Sequence, residues 1–319
     1  MKKLFFLGTL ILSLMGGPWG CGKMMSPISP MAQSAPSQSP MATGTPIYSS
    51  QWTMADSQPM SNPLGIAVDG SNNVYVTDAD LDEVLKYDAS GNLLSHWGNV
   101  GQTTLDQPSG IAVKNGNVYV ADSANSRVVE YDSNGTVLGI IKPMNGEYYT
   151  FVYPTGISFD AAGNLYVSDN SDAVYQFDNS SHLTAQWTAN GSLNFPVVSL
   201  EDASGNVYVA NYNSNNIVKF NPQLGTVSTW GQFGTQTDHF NGPSDIKLDP
   251  NGNVAVVDTD NNRIQVFSTA GTFLTQWGQD PNSANSLNSP NSLAYDSNGN
   301  VYVADSGNSR VVKYTVAAH

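Results

Sequence analysis

Short apolar segments separated by Gly-Asn turns recur along most of the chain. The stretch PSGIAVKNGNVYVAD, which begins at Pro108, is typical: an apolar segment, an Asn-Gly turn, and a second segment that ends in an acid. Val, Ile, Tyr and Phe favour strands, while Asn-Gly and Ser-Gly pairs favour tight turns. Because no 3.6-residue helical period accompanies these segments, the pattern predicts an all-β protein.

The same pattern occurs six times, each time beginning at a proline. The six prolines are Pro63, Pro108, Pro154, Pro196, Pro243 and Pro290. Their spacing ranges from 42 (Pro154 to Pro196) to 47 (Pro243 to Pro290). Two further strands follow the first pair in each complete unit, and the last strand ends in Trp97, Trp187, Trp230 or Trp277, or in Ile141 in unit two. Units of four strands are typical of propeller blades, so the repeat predicts a six-bladed β-propeller of four-stranded antiparallel blades.

The sixth unit is one strand short at its carboxyl end. It finishes SRVVKYTVAAH, with three strands, at His319. The stretch YSSQWT near the start of the repeat region contains Gln51-Trp52, which matches Gln276-Trp277 in a fourth strand. We therefore expect the N-terminal strand to complete the last blade and close the ring, since this pairing covers an exposed strand edge.

The segment before the repeats has the layout of a secretory signal. Lys2 and Lys3 precede an apolar run from Leu4 to Met15, which is shorter than the roughly 20 residues of a spanning helix. Its end, Gly20-Cys21, resembles a bacterial lipoprotein signal, and this resemblance implies lipidation of Cys21; the alternative is an ordinary signal with a coincidental cysteine. We expect a signal peptide at 1–20, a flexible Pro/Ser/Met-rich tether at 21–46 and the propeller at 47–319.

Charge narrows the range of partners. The formal net charge is −14, and only 12% of the residues are charged. Nucleic-acid binding depends on Lys and Arg that neutralise phosphates, so it is disfavoured, as is an anionic membrane surface. A membrane contact is expected only through the lipid anchor. Cys21 is the one cysteine, which excludes an intrachain disulfide.

The unit P-x-G-I-A-V-D-x-x-G-N-V-Y-V-A-D-S-x-N-x-R-V resembles the NHL repeat. Units two, five and six carry its Asp, Asn and Arg positions: Asp122, Asn125, Arg127; Asp258, Asn261, Arg263; Asp305, Asn308, Arg310. Units one and three have Glu83 and Ala173 in place of the Arg, and unit four has Asn211 and Asn216 in place of the Asp and Arg. The resemblance implies a six-bladed ring. It does not define one function, because proteins with NHL repeats include protein-interaction domains, RNA-binding repressors, extracellular sensor domains and metal-dependent lyases.

Few residues are candidates for a metal or ligand site. His96 and His182 fall in predicted outer strands, so only His239 is expected to lie in a loop over the channel, which is too few for a three-His zinc site. The acids that close the second strands should form a ring with Asn211 on one rim: Asp78, Asp122, Asp169, Asp258 and Asp305. A cation site is one interpretation; the favoured one is that each acid binds its own turn and the following Arg.

Two further places where the sequence departs from the repeat are candidate ligand contacts. Glu201 replaces an apolar residue of the innermost strand. Its carboxylate could face the channel and bind a ligand there. The favoured interpretation is a register shift of this strand that turns Val198 and Leu200 inward. Tyr148 and Tyr149 lie in a long aromatic insertion, in a loop on the rim presumed to bind the ligand. The neighbouring residues Phe151 and Tyr153 are expected either to contact a ligand or to pack over the junction between two blades.

These features together favour a non-catalytic role. We expect an exported, monomeric scaffold of the bacterial cell envelope, membrane-anchored or else periplasmic or secreted, that recognises a protein, peptide or glycan on one rim and needs no cofactor. The alternative is an extracytoplasmic lyase or lactonase with a divalent cation in the central channel. The sequence contains no G-x-S-x-G, phosphate-loop, H-E-x-x-H or G-x-G-x-x-G motif.

Overall fold

The computed structural model describes residues 46–55, 58–98, 104–142, 151–221, 225–279 and 285–315. The predicted signal peptide, Cys21 and the tether lie outside these residues, and so do Tyr148, Tyr149 and His319. In the part of the chain that is described, no helix is long and apolar enough to span a membrane.

The described residues form strands joined by tight turns. The N-terminal strands are β1 (Ile47–Trp52), β2 (Met54–Ala55) and β3 (Gln58–Pro59). Blade one contains β4 (Pro63–Val68), β5 (Val74–Asp78), β6 (Glu83–Tyr87) and β7 (Leu93–Trp97). Blade two contains β8 (Pro108–Lys114), β9 (Asn117–Asp122), β10 (Arg127–Tyr131) and β11 (Val137–Ile141). Blade three contains β12 (Pro154–Phe159), β13 (Leu165–Asp169), β14 (Ala173–Phe177) and β15 (Leu183–Trp187).

The remaining blades follow the same order. Blade four contains β16 (Pro196–Glu201), β17 (Val207–Asn211), β18 (Asn216–Asn221) and β19 (Thr226–Trp230). Blade five contains β20 (Pro243–Leu248), β21 (Val254–Asp258), β22 (Arg263–Phe267) and β23 (Phe273–Trp277). Blade six contains β24 (Pro290–Tyr295), β25 (Val301–Asp305) and β26 (Arg310–Thr315). Short 3₁₀ helices span Ala189–Gly191, Thr259–Asn261 and Ser306–Asn308.

The N-terminal strand completes blade six, as the sequence predicts. The order of strands in this sheet is β1-β26-β25-β24, and the other five blades are antiparallel four-stranded sheets of consecutive strands. Gln51 pairs with Val312 and Trp52 with Val311 across the closure. The six innermost strands, β4, β8, β12, β16, β20 and β24, each contact the next, and β24 contacts β4. The prediction of a closed six-bladed propeller is therefore confirmed.

Aromatic rings join neighbouring blades. The Trp52 ring lies between Tyr302 of its own blade and Tyr87 of blade one, with ring centroids 5.5 and 5.4 Å away. Gly91, in a turn of blade one with a φ of +90°, lies against the same indole, where an added Cβ would come within 2.1 Å of Trp52 Nε1. Only glycine fits this turn, because both the positive φ and the close indole exclude a side chain. The closing strand is thus part of the core.

Candidate functional site

The acids that close the second strands have structural partners. All five are fully buried: Asp78, Asp122, Asp169, Asp258 and Asp305. Asp258 accepts hydrogen bonds from the Asn241 backbone N–H at 2.7 Å and from Arg263 Nε at 2.6 Å. Burial raises the pKa of Asp258, although these donors oppose the shift. The carboxylate therefore holds the loop before the first strand against the third strand of the same blade.

Two blades replace the acid–arginine pair with other partners. In blade four the Asn211 oxygen accepts from the Asn194 backbone N–H at 2.6 Å, and Asn211 Nδ2 donates to Asn216 Oδ1 at 2.9 Å. In blade one Glu83 takes the Arg position and lies 3.1 Å from His96 Nδ1. The Asn211–Asn216 contact joins the second and third strands, as the acid–arginine pair does, whereas Glu83 and His96 join the third and fourth strands of blade one.

His239 lies in the loop that precedes β20, on the rim where the first strands begin. Its Nδ1 lies 2.8 Å from Asp238 Oδ1, and its backbone oxygen accepts from Arg263 Nη2 at 2.9 Å and Gln265 Nε2 at 2.7 Å. In the insertion before blade three, Phe151 is only 2% exposed and packs on Tyr175 at 5.5 Å, which confirms the packing role expected for it. The loop that contains His239 and the described end of the insertion, at Phe151, therefore both contact the blades beneath them.

The register shift expected around Glu201 is wrong. Glu201 pairs with Val207, just as Phe159 pairs with Leu165 in blade three. The carboxylate is instead accommodated by the neighbouring blade, because Tyr166 donates its hydroxyl proton to Glu201 Oε2. Burial raises the pKa of Tyr166, and the bond to Glu201 raises it further. The departure at Glu201 thus creates a contact between blades three and four.

A cavity of about 370 Å³ occupies the channel mouth where the innermost strands end. Its wall is mainly apolar and is formed by residues 66–68, 111–113, 157–159, 200–201, 247–248 and 294–295. Glu201 and Lys247 are the charged residues of this lining. Lys247 forms an ion pair with Asp245, which is fully buried and also accepts from the Leu293 backbone N–H at 2.9 Å.

A second, more polar groove of about 650 Å³ lies beside the channel mouth, between blades two and three. It is lined by Lys114, Asn115, Asn117, Tyr119, Phe159, Asp160, Ala161, Ala162, Gly163 and Asn179. Phe159 lines both cavities. The cavity and the groove therefore both open on the rim formed by the turns between first and second strands. The sequence indicated ligand contacts on the opposite rim, where the second strands end.

In blades one, four and six, a lysine of the third strand closes the corresponding junction. Lys86 lies over the Tyr75 ring at 5.3 Å and donates to the Ser133 carbonyl oxygen of the next blade at 2.8 Å. Two other blades repeat this arrangement, with Lys219 on Tyr208 and Thr269, and Lys313 on Tyr302 and Ala89. The lysine thus covers the tyrosine and bridges two blades.

Blade two departs from this arrangement and leaves the groove open. Glu130 stands where the lysine would be, and it accepts from the Tyr119 hydroxyl at 2.6 Å. Burial raises the pKa of Tyr119, and Glu130 raises it further. Lys114 makes the bridge from another direction, donating to the Gly163 carbonyl and, at 2.6 Å, to Asn179 Oδ1. Tyr119 is only half-buried, whereas Tyr75, Tyr208 and Tyr302 are fully buried.

Sequence reasoning missed most of this site. It singled out none of Lys114, Glu130, Asp245 and Lys247 as candidates for ligand binding. A signal was available, because Asp245 and Lys247 occupy inner-strand positions where units one and two have Gly and Ala. Within the described ranges, no group of three or more His, Cys, Asp or Glu is placed to hold a metal ion.

Comparison with known proteins supports the repeat and the fold. The NHL repeat matches residues 105–131, 240–267 and 287–314. A search of curated proteins finds no match.

Several solved structures share the fold. A streptogramin B lyase is 13% identical with a TM-score of 0.62, over 85% of this chain and 98% of that one. A protein of unknown function from Bacteroides thetaiotaomicron is 18% identical with a TM-score of 0.66, over 85% and 73%. A catalytically inactive virginiamycin B lyase from Staphylococcus aureus, with quinupristin, is 13% identical with a TM-score of 0.61, over 83% and 85%. At such identities the likeness is one of fold. The chain therefore carries NHL repeats arranged as a six-bladed β-propeller.

Proposed function

We propose that this protein is a non-catalytic binding platform of the bacterial cell envelope. Its ligand, a protein, peptide or glycan, lies on the rim formed by the turns between first and second strands. The observation that carries the proposal is the position of the two cavities, which share Phe159. The side chains that break the repeat, including Lys114 and Glu201, lie around these same cavities.

The charge distribution supports a platform that is selective by shape and hydrogen bonding. The lysines and arginines on the blades are largely engaged within the propeller, as Arg263 is with Asp258 and Lys247 with Asp245. Such side chains offer little free positive charge to an anionic partner. Export by the predicted signal and anchoring at Cys21 would present the propeller to envelope components.

A groove-filling substitution tests the platform. Ala162 is exposed in a turn that lines the groove, so Ala162→Trp occupies the groove without removing a core contact. We immobilise the full chain, pass over it a solubilised envelope extract, and measure the retained protein and carbohydrate. The wild type should retain at least one component that Ala162→Trp loses.

The matched control is Asn251→Trp, at the corresponding exposed turn position of blade five. It should retain the same component as the wild type. Identical retention by all three proteins would contradict a binding role for the groove.

The competing function is a lyase, which the fold shared with streptogramin B lyase favours. The test is incubation of the full chain with quinupristin, with and without added Mg²⁺, together with elemental analysis of the purified protein. Under the platform proposal quinupristin stays intact and no stoichiometric metal is found. A cleaved product in the presence of metal would establish the lyase instead.

A further inference from the structure

We propose that the groove between blades two and three binds a neutral sugar ring of a glycan. This inference rests on the proposed platform function and specifies its ligand at the same site. It depends on the hydrogen-bonding groups of the groove, on its Tyr119 ring and on its charge.

The polar lining suits hydroxyl groups. Asn115, Asn117 and Asn179 line the groove. Asn117 Nδ2 donates to Glu130 at 2.8 Å, and Asn179 accepts from Lys114 and donates to the Ala162 carbonyl oxygen, but each amide keeps at least one N–H and one oxygen lone pair for a ligand. Lys114 has three ammonium protons, of which Gly163 and Asn179 each receive one. A sugar hydroxyl both donates and accepts, so it can pair with each of these groups, whereas a ligand with acceptors alone would leave amide oxygens unpaired.

Tyr119 supplies an aromatic ring that suits the C–H face of a sugar ring, whereas Lys114 Nζ lies over the Phe159 ring at 4.9 Å. Tyr119 and Phe159 pack edge to face with centroids 4.8 Å apart, and both are half-buried. The corresponding tyrosines of other blades, such as Tyr75 and Tyr302, are fully buried. Aromatic faces bind apolar C–H surface while the hydroxyls around the ring stay available for polar contacts. Tyr119 is therefore more exposed than these tyrosines and forms part of the groove surface.

Charge disfavours an acidic ligand. Asp160 lines the groove and Glu130 is bonded to Tyr119, so two carboxylates oppose one ammonium group. That ammonium already contacts two oxygens, and the whole chain carries a net charge of −14. An acidic sugar would be repelled by these carboxylates. The volume of about 650 Å³ is within the roughly 300–1,000 Å³ of small-ligand sites.

The test is calorimetric titration of the full chain with four neutral tetrasaccharides: cellotetraose, maltotetraose, laminaritetraose and chitotetraose. We expect at least one to bind with a Kd below about 1 mM. Ala162→Trp should weaken that binding by about tenfold or more, and Asn251→Trp should leave it unchanged.

A second variant tests the aromatic contact. Tyr119→Leu should weaken binding while Tyr119→Phe, which keeps the ring, should largely preserve it. Melting curves of both variants check folding, and Ala162→Trp provides the evidence if Tyr119→Leu does not fold. Equal binding by wild type and Ala162→Trp would overturn the proposal, and so would tighter binding of acidic tetragalacturonate than of every neutral sugar.

The experiments distinguish failure of the glycan inference from failure of the platform proposal. If no neutral tetrasaccharide binds but Ala162→Trp still loses an envelope component in the retention experiment, the glycan inference is wrong and the platform stands. If Ala162→Trp changes neither the retention of envelope components nor the binding of tetrasaccharides, the platform proposal is wrong as well as the glycan inference.

Discussion

At the scale of single residues, ion pairs between an aspartate and an arginine join the second and third strands of blades two, five and six. Arg263 and Asp258 are nearly or fully inaccessible, and their contact at 2.6 Å joins the second and third strands of blade five. Blade four makes the same link with the neutral pair Asn211 and Asn216. A buried charge is costly without its partner, whereas a neutral pair avoids the cost of removing two charges from water. A charged pair is therefore not required at this position in every blade.

Arg263→Asn should lower the free energy of unfolding by about 3–5 kcal/mol, because it leaves the Asp258 carboxylate buried without its cation. Adding Asp258→Asn, which reproduces the pair of blade four, should recover part of this loss. Urea unfolding of the single and double variants measures both effects. A double variant less stable than Arg263→Asn would contradict the argument.

Turn carboxylates should make the protein sensitive to acid. Burial raises the pKa of Asp202, but hydrogen bonds from Asn206, Tyr208 and Ser204 outweigh it and hold the pKa below the ordinary 3.8. The charged carboxylate therefore stabilises the folded state above that pH, and its contribution is lost as the pH falls through the folded-state pKa.

Asp202→Asn should accordingly be less stable than the wild type at neutral pH, and the difference should shrink below pH 3.8. Urea unfolding at neutral and at acidic pH measures the difference. Asp260→Asn, at an exposed position, controls for the removal of one negative charge. A gap that widens on acidification would contradict the assigned direction of the shift.

At the scale of elements, β1 stabilises the propeller in two ways. It gives β26 a hydrogen-bonded neighbour, and it places Trp52 between blades six and one. Trp52 is 6% exposed, whereas Ile47 at the start of the same strand is 58% exposed. The stability that β1 contributes is therefore concentrated at its C-terminal end.

Trp52→Ala should cost about 3–5 kcal/mol, because it leaves a cavity between Tyr87 and Tyr302. Deletion of residues 47–54 should lower the melting temperature further, since the edge of β26 is then also unpaired. Ile47→Ser should change stability by less than about 0.5 kcal/mol. Thermal melting of the three variants checks this order, and an unchanged curve for the deletion would refute closure by β1.

At the scale of the whole molecule, closure depends on where β1 packs and not on its place in the chain. Ile47 pairs with Thr315, so the start of β1 lies beside the end of β26. The two strands are antiparallel neighbours, and a short turn could join them directly. The propeller is thus a ring in which the chain could be opened at another point.

A chain with residues 47–52 moved behind Thr315 through a short Asn-Gly-containing linker should keep a cooperative melting transition within a few degrees of the wild type. Thermal melting followed by circular dichroism measures this. The same rearrangement with Trp52→Ala should be as destabilised as Trp52→Ala in the natural order. Loss of cooperative melting in the relocated chain alone would show that the chain order matters.

The sequence alone determined the strands, the number of blades and the closing strand, because these follow from local turn chemistry and from a pattern that repeats. Asp249 and Gly252 mark a turn wherever their unit lies, and Gln51-Trp52 matches a fourth strand without reference to any contact. Only the tertiary structure decided which rim holds the cavities and that Glu201 keeps the register by bonding Tyr166. Lys114 meets partners 49 and 65 positions away on another blade, and whether such side chains fill or open a junction depends on packing between blades.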